Sequence, residues 1–368
     1  MGWTLVSETQ RSQIDRHLHR VIDRLLSAEG LESMTGMIRS WVLAGGKRIR
    51  PQLCIWTFQH SLPTATGGGA TAVAQAALAG DELPALLLDA ACAWELFHAF
   101  LLTHDDIIDS ALTRRQQGAL HRQLAALDHN CPKFGTNLGI VAGDLLFSAA
   151  VRLWHELDAP ADQYRDLLKL FSRVATVTGF GQAIDICQSH APLEAVDEQT
   201  LLREYLWKTA AYTFEGPMLS GAILAGVDEE ARSAISSFAL ALGQAYQLQN
   251  DLLDLRSQVH EGCDLLQGKR TVALISARLQ MDDERRRKLD CDLAALQRDP
   301  PGAVALADRI RHELLAAGAE VQARAKIAHF LTAAVEAARS KRLPESLRGA
   351  MGELLKSLST GYFELTQA

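Results

Sequence analysis

The 368-residue chain has almost no strand signal: apolar residues recur at intervals of three and four, hardly ever at two. Its six cysteines, Cys54, Cys92, Cys131, Cys187, Cys263 and Cys291, are scattered, with no CxxC pair and no histidine cluster at zinc-ligand spacing. They are expected to be buried, reduced thiols. Positive charge is not in excess either, since 37 Lys and Arg face 44 Asp and Glu for a net charge of −7. No global field is therefore available to hold nucleic acid, and any anion must be bound locally. No uninterrupted apolar run of bilayer-spanning length is present, and the N-terminal MGWTLVSETQRSQIDRHLHR lacks the apolar centre of a signal peptide. The expectation is a cytoplasmic protein with no transmembrane segment.

What is present is helical. An apolar fraction of 48% against 22% charged residues allows a sizeable core. Near Gln10–Glu29 the residues Ile14, Leu18, Val21, Ile22, Leu25 and Leu26 form one stripe, as on a helix packed against a core. Leu86–Ile108, Leu138–Leu157, Asp162–Cys187, Ala231–Leu255 and Val304–Ala338 are apolar on most sides, as the central helices of a large bundle should be. The breaks are short: Gly45-Gly46, Gly67–Gly69, Cys131-Pro132, Glu261-Gly262 and Pro300-Pro301-Gly302. Ser61–Pro84, rich in small residues, reads as a surface excursion. With no repeat and no long linker, residues 1–368 are expected to form a single all-α domain, a large helical bundle around a central cavity.

The segment His104-Asp105-Asp106-Ile107-Ile108-Asp109 ends an otherwise apolar helix. Asp105 and Asp109 stand one turn apart, so their carboxylates can converge on a hard cation. Mg²⁺ takes a few carboxylates and keeps its other positions for water and phosphate oxygens, which makes this a candidate diphosphate site. Taken alone the motif equally describes a solvated acidic helix end. Arg114 and Arg115 follow closely and could supply bidentate phosphate ligands.

A second apolar helix carries Gln247, Asn250, Asp251 and Asp254, repeating that geometry with one amide in place of a carboxylate. Two such faces opposed across a bundle would hold a bridged metal cluster on one diphosphate. Leu43-Ala44-Gly45-Gly46-Lys47-Arg48-Ile49-Arg50-Pro51 puts glycines and cations at a helix start, where Pro51 fits the first turn. Free backbone N–H groups with Lys47 and Arg50 make an anion site without metal, against the plain alternative of a glycine turn with solvated cations. Gly268-Lys269-Arg270-Thr271 is a shorter version. Lys208-Thr209 adds a cation in apolar surroundings, where snorkelling is the ordinary explanation.

Assembled in order, these segments resemble the trans-isoprenyl diphosphate synthases, or polyprenyl synthetases. The likeness rests on GGKRIRP at Gly45–Pro51, ELFHAFLLTHDDIIDSALTRR at Glu95–Arg115 with His121 beyond, and GD at Gly143-Asp144. It continues through GQAID at Gly181–Asp185, KT at Lys208-Thr209, YQLQNDLLD at Tyr246–Asp254 and GKRT at Gly268–Thr271. The resemblance implies that Asp105, Asp106 and Asp109 hold Mg²⁺ on an allylic diphosphate, and that Asp251 and Asp254, with Asn250 beside them, serve the remaining metal position. It implies three ions with substrate bound. Arg114, Lys208 and Lys269 would contact that diphosphate, Lys47, Arg50, His98 and Arg115 would hold isopentenyl diphosphate, and Gln182, Thr209 and Gln247 would line the reacting centre. The implied reaction adds isopentenyl diphosphate head-to-tail to dimethylallyl, geranyl or farnesyl diphosphate, in a homodimer.

Asn250 stands where the family has Asp, which removes a charge from the second motif. Chain length can be argued from the residues four and five before Asp105. Leu101 and Phe100 lie about 6–7 Å down the same helix and can floor the product pocket. A bulky Phe100 favours C20 or C15 products over long polyprenyl chains. Two other functions compete: a class I terpene cyclase, disfavoured by Lys47, Arg50 and Arg115, and a non-catalytic regulatory subunit, disfavoured by the complete first motif and mildly favoured by Asn250.

Overall fold

The computed structural model describes residues 4–62, 82–114, 117–259, 262–298 and 301–363. Most of the excursion expected at Ser61–Pro84, with Gly67–Gly69, lies outside the described residues, as does Arg115. Fifteen helices are described. They are α1 Glu8–Leu25, α2 Glu32–Leu43, α3 Ile49–Ser61, α4 Ala85–Ile108, α5 Leu120–Leu124, α6 Pro132–His155, α7 Ala161–His190 and α8 Glu198–Glu204. After a π-helical stretch, Tyr205–Glu215, come α9 Gly216–Leu224, α10 Glu229–Arg256, α11 Val272–Gln280, α12 Asp283–Leu296, α13 Ala303–Ala316, α14 Ala319–Ala338 and α15 Glu345–Gly361. Among the described residues the strands are a single ribbon in which Thr113–Arg114 pairs antiparallel with Gln117–Gly118. The chain is all-α as the periodicity predicts.

Two compact units partition the chain: Met1–Phe171 with Gly216–Arg232 and Pro344–Leu347, and Ser172–Glu215 with Ser233–Leu343 and Arg348–Ala368. In the first, α1 is started by a capping box between Ser7 and Gln10. It buries Ile14, Leu18, Val21 and Ile22, each side chain contributing roughly 1.5–3 kcal/mol. The centre of this unit is aromatic. Trp94 on α4 meets Trp154 and Phe171 edge-on at 5.6 Å each, and its indole N–H is satisfied by Ser220 Oγ at 3.0 Å. Arg48, buried in the same unit, donates to buried Glu95 at 2.8 Å and to partly exposed Asp15 at 2.9 Å.

The second unit is built on α10, α11 and α14, burying Phe214, Phe238, Leu242, Leu252, Ile275 and Ile327. Glu198 ties α8 to α14 and α11 by accepting from Lys326 at 2.6 Å and Ser276 at 3.0 Å.

Two sequence expectations are corrected. The run Val304–Ala338 is two helices, because Gly318 takes a left-handed φ of 88° and ends the first. Of the six cysteines, all free, only Cys54, Cys92 and Cys263 are buried; Cys131 is half-buried, and Cys187 and Cys291 are exposed. By length and composition alone α4 and α6 are apolar enough to cross a membrane, a criterion that the buried core helix of a globular protein meets as well. The apolar window of α4 is 61% buried inside the protein, that of α6 only 39%.

Candidate active site

Each unit carries one of the two acid clusters. In the first unit Asp105 and Asp106 occupy the last turn of α4, and Asp109 is its C-cap, its N–H donating to the Asp105 carbonyl at 2.8 Å. Ser110 turns the chain at a left-handed φ of 53°, and the short ribbon returns Arg114 to the helix end. Arg114 Nε donates to Asp106 Oδ1 at 2.8 Å, Nη2 bonds the same oxygen, and Nη2 lies 3.8 Å from Asp105 Oδ2. Asp106 is fully buried, and burial raises its carboxyl above the usual range against the pull of Arg114. Its second oxygen is buried without a hydrogen-bond partner among the described residues.

Around this acid ladder, the roles of several motif residues become physical. A Cβ on Gly143 would lie 2.3 Å from the His104 ring, so only glycine lets α6 pass here, and His104 Nε2 donates to the Ile140 carbonyl at 3.1 Å. Phe100 packs against Phe147 of α6 at 5.2 Å and against His104 at 4.8 Å. Phe147 was not singled out from the sequence, because nothing local marks it as the partner of Phe100.

The cationic turn is also in the first unit. Gly45 and Gly46 have φ of 71° and 111°, and Arg48 is the left-handed N-cap of α3, with Pro51 in the first turn. Arg11 donates to the Gly46 carbonyl at 2.9 Å, and Gln52 Nε2 to the Lys47 carbonyl. Lys47 is exposed and Arg50 buried; His98, half-buried, sits on α4. The three cations therefore divide: Arg48 belongs to the Glu95–Asp15 network, leaving Lys47 and Arg50 as the candidate anion ligands.

In the second unit the π-helical stretch presents Lys208 and Thr209. Lys208 Nζ pairs with Asp185 Oδ2 of α7, and a Cβ on Gly181 would lie 2.3 Å from the Lys208 N, so the GQAID glycine permits this approach. Thr209 Oγ1 donates to Gln247 Oε1 at 2.9 Å, and Gln247 Nε2 donates to Asp251 Oδ1 at 2.8 Å. Tyr205 OH donates to Asp251 Oδ2. Burial and the nearby charge of Asp264 raise the Asp251 carboxyl well above the usual range. Asp254 accepts the Asp264 N–H at 3.1 Å, and Lys269 lies 3.9 Å from Asp264. Asn250 Oδ1 accepts from Tyr362 OH at 2.7 Å. The sequence motifs thus gather Lys208, Thr209, Gln247, Asp251, Asp254 and Lys269 in one unit, with Gln182 on α7. Tyr205, Asp264 and Tyr362 are additional members.

Among the described residues no three His, Cys, Asp or Glu side chains already converge as a metal cage. Mg²⁺ does not require one, since it is held by one or two carboxylates together with waters and substrate phosphates. The all-oxygen donors Asp105 and Asp109, one turn apart and both partly exposed, fit that ion beside the unpartnered oxygen of Asp106.

The description polyprenyl synthetase matches residues 32–301. A geranylfarnesyl diphosphate synthase of Natronomonas pharaonis is 31% identical over 72% of this chain and 74% of its own length. A geranylgeranyl diphosphate synthase of Methanosarcina mazei is 29% identical over 75% of this chain and 76% of its own. The crystal structure of a Corynebacterium glutamicum geranylgeranyl pyrophosphate synthase, complexed with isoprenyl diphosphate and magnesium, superposes with a TM-score of 0.79 at 26% identity. It covers 95% of this chain and 98% of that one. The chain belongs to the polyprenyl synthetase family, and like its relatives is a trans-prenyltransferase of the isoprenyl diphosphate synthase type.

Proposed function

We propose that the chain condenses isopentenyl diphosphate head-to-tail with an allylic diphosphate, releasing diphosphate and a C20 or C15 product, with Mg²⁺ as cofactor. The observation that carries the proposal is the division of labour on α4. Arg114 neutralises buried Asp106, while Asp105 and Asp109 keep their carboxylates at the accessible helix end.

Bound Mg²⁺ would disperse the charge that grows on the departing diphosphate as the allylic C–O bond ionises. Asp105, Asp106 and Asp109 would hold ions at the first cluster, and Asp251 and Asp254 would hold a further one, three in all with substrate bound. Asn250, its oxygen engaged by Tyr362, contributes no charge there. Lys208, Lys269 and Arg114 then contact the allylic diphosphate, each by exchanging or sharing the carboxylate it now faces. Lys47, Arg50, His98 and Arg115 bind isopentenyl diphosphate, where fixed cations suffice because that diphosphate is not expelled. Gln182, Thr209 and Gln247 line the reacting centre. No side chain is required as base, since the released diphosphate can take the proton lost after attack of the isopentenyl double bond.

We further propose a homodimer and a single functional domain over residues 1–368. The apolar residues Ile140, Val141 and Leu145 are exposed on one face of α6, which supports self-association.

Purified protein incubated with labelled isopentenyl diphosphate, each allylic partner and Mg²⁺ tests the proposal. Chain-extended diphosphates are expected. Volatile hydrocarbons would make it a terpene cyclase, and activity only after adding another synthase subunit would make it a regulatory chain.

A further inference from the structure

The two helices α14 and α15 enclose a groove of about 830 Å³ that touches neither acid cluster. Its lining lies wholly in the second unit. Val335, Ala338 and Leu355 make an apolar floor, with Ala338 and Leu355 buried. Around that floor stand Arg339, Lys341, Arg348 and Lys356, and among the described residues no acid lines the groove. None of the four cations has an ion-pair partner among the described residues. Glu336, Glu345 and Glu353 lie on the same pair of helices but outside the lining.

The chain as a whole carries a net charge of −7, and other cations such as Arg24, Arg39, Arg232, Arg278, Arg285 and Arg324 each face a carboxylate. Four unpaired cations converging on one groove raise the local potential and favour an anion. A simple inorganic anion would leave the apolar floor unused, and a pure hydrocarbon would leave the cations unused. The volume falls within the roughly 300–1,000 Å³ of sites that enclose a small molecule. A concave trough between two helices also suits a discrete molecule better than a flat lipid sheet.

We propose that the groove between α14 and α15 binds a phosphate-headed amphiphile with a single apolar chain, its head among Arg339, Lys341, Arg348 and Lys356 and its chain on Val335, Ala338 and Leu355. The inference goes beyond the catalytic reading and shares no residue with it, so either can fail while the other stands.

Calorimetric titration of the full chain in EDTA, with dodecyl phosphate below its micellar concentration, tests it. The expected result is a saturable site that binds dodecyl phosphate at least about tenfold more tightly than inorganic phosphate or dodecanol, and more tightly than octyl phosphate. Arg348→Ala with Lys356→Ala, and separately Arg339→Ala with Lys341→Ala, should each weaken that site about tenfold or more. The condensation rate should be unchanged in both double variants, which shows that they remain folded. An isotherm unaltered in both double variants overturns the proposal, as does equal affinity for inorganic and dodecyl phosphate. Binding confined to phosphatidylcholine vesicles containing phosphatidylserine would also overturn it, making the groove a membrane contact.

Discussion

The Tyr205 hydroxyl is fixed between the second acid cluster and the start of α11: it donates to Asp251 Oδ2 while accepting the Val272 N–H at 2.9 Å. Gln247 holds the other oxygen of Asp251 at 2.8 Å and is itself held by Thr209. Both oxygens of a buried carboxylate are therefore oriented by neighbours that are oriented in turn. Such support fixes the direction in which a carboxylate presents its remaining lone pairs to a metal.

Tyr205→Phe removes the donor and little else. The expected outcome is a loss of roughly 10- to 100-fold in apparent Mg²⁺ affinity for the condensation, the usual effect of deleting an outer-shell partner. Initial rates over a Mg²⁺ titration would measure it. A Mg²⁺ dependence identical to that of the parent would mean that Tyr205 serves only to anchor Val272.

Phe100, the residue proposed to floor the product pocket, leans on Phe147 of α6 at 5.2 Å and on Phe97 at 5.7 Å. Phe100→Ala should lengthen the product, and Phe147→Ala should do so partly, because it withdraws the support behind the Phe100 ring. Neither residue is fully buried, so each change should cost less than the roughly 3–5 kcal/mol of deleting a core aromatic. Chromatography of the dephosphorylated products decides the matter. Unchanged length in both variants would end the argument that Phe100 floors the pocket.

The all-α class and most helix positions were readable because burial periodicity is local: α1, α4, α7 and α10 lie close to where the apolar stripes place them. Both acid clusters were readable for the same reason, since their spacing along one helix sets their geometry. The partners of these groups were not. Arg48 looks in sequence like one of three equivalent cations, yet Asp15 and Glu95 claim it from 33 and 47 positions away. Lys208 meets Asp185, 23 positions back, through a gap that exists only because residue 181 is glycine. Pairing across a fold depends on which helices touch, and single-helix patterns carry no record of that.

Glu204, at the end of α8, yields a pH prediction. Burial, together with the charges of Asp185 and Asp251, raises its carboxyl well above the ordinary 4.5, against the opposing pull of Lys208 and Lys269. Above pH 4.5 the unfolded chain has lost this proton while the folded chain keeps it, so the folded state binds more protons and its stability falls as pH rises. Glu204→Gln keeps the shape of the neutral acid and cannot ionise. Between pH 6 and 9, urea unfolding of the parent should lose stability more steeply than that of the variant, by up to about 1.4 kcal/mol per pH unit. Below pH 4.5 the two curves should run parallel. Equal slopes across the alkaline range would show that Glu204 is already ionised in the folded protein.

The exposed face of α6 yields a test of assembly. Its apolar window is less buried than that of α4, and the deficit is concentrated at Ile140, Val141 and Leu145, which fall on one side of the helix at spacings of one and four. Water beside three large aliphatic side chains is unfavourable, and a second copy presenting the same face would remove it from both. Val141→Glu and Leu145→Glu each place a charge on that face without touching the buried side of α6, where Gly143 meets His104. Light scattering after size-exclusion chromatography should find the parent at twice the chain mass and either variant at or near the monomer. The helical circular dichroism should be unchanged. A parent that elutes as a monomer, or variants that remain dimeric, would move the self-association surface away from α6.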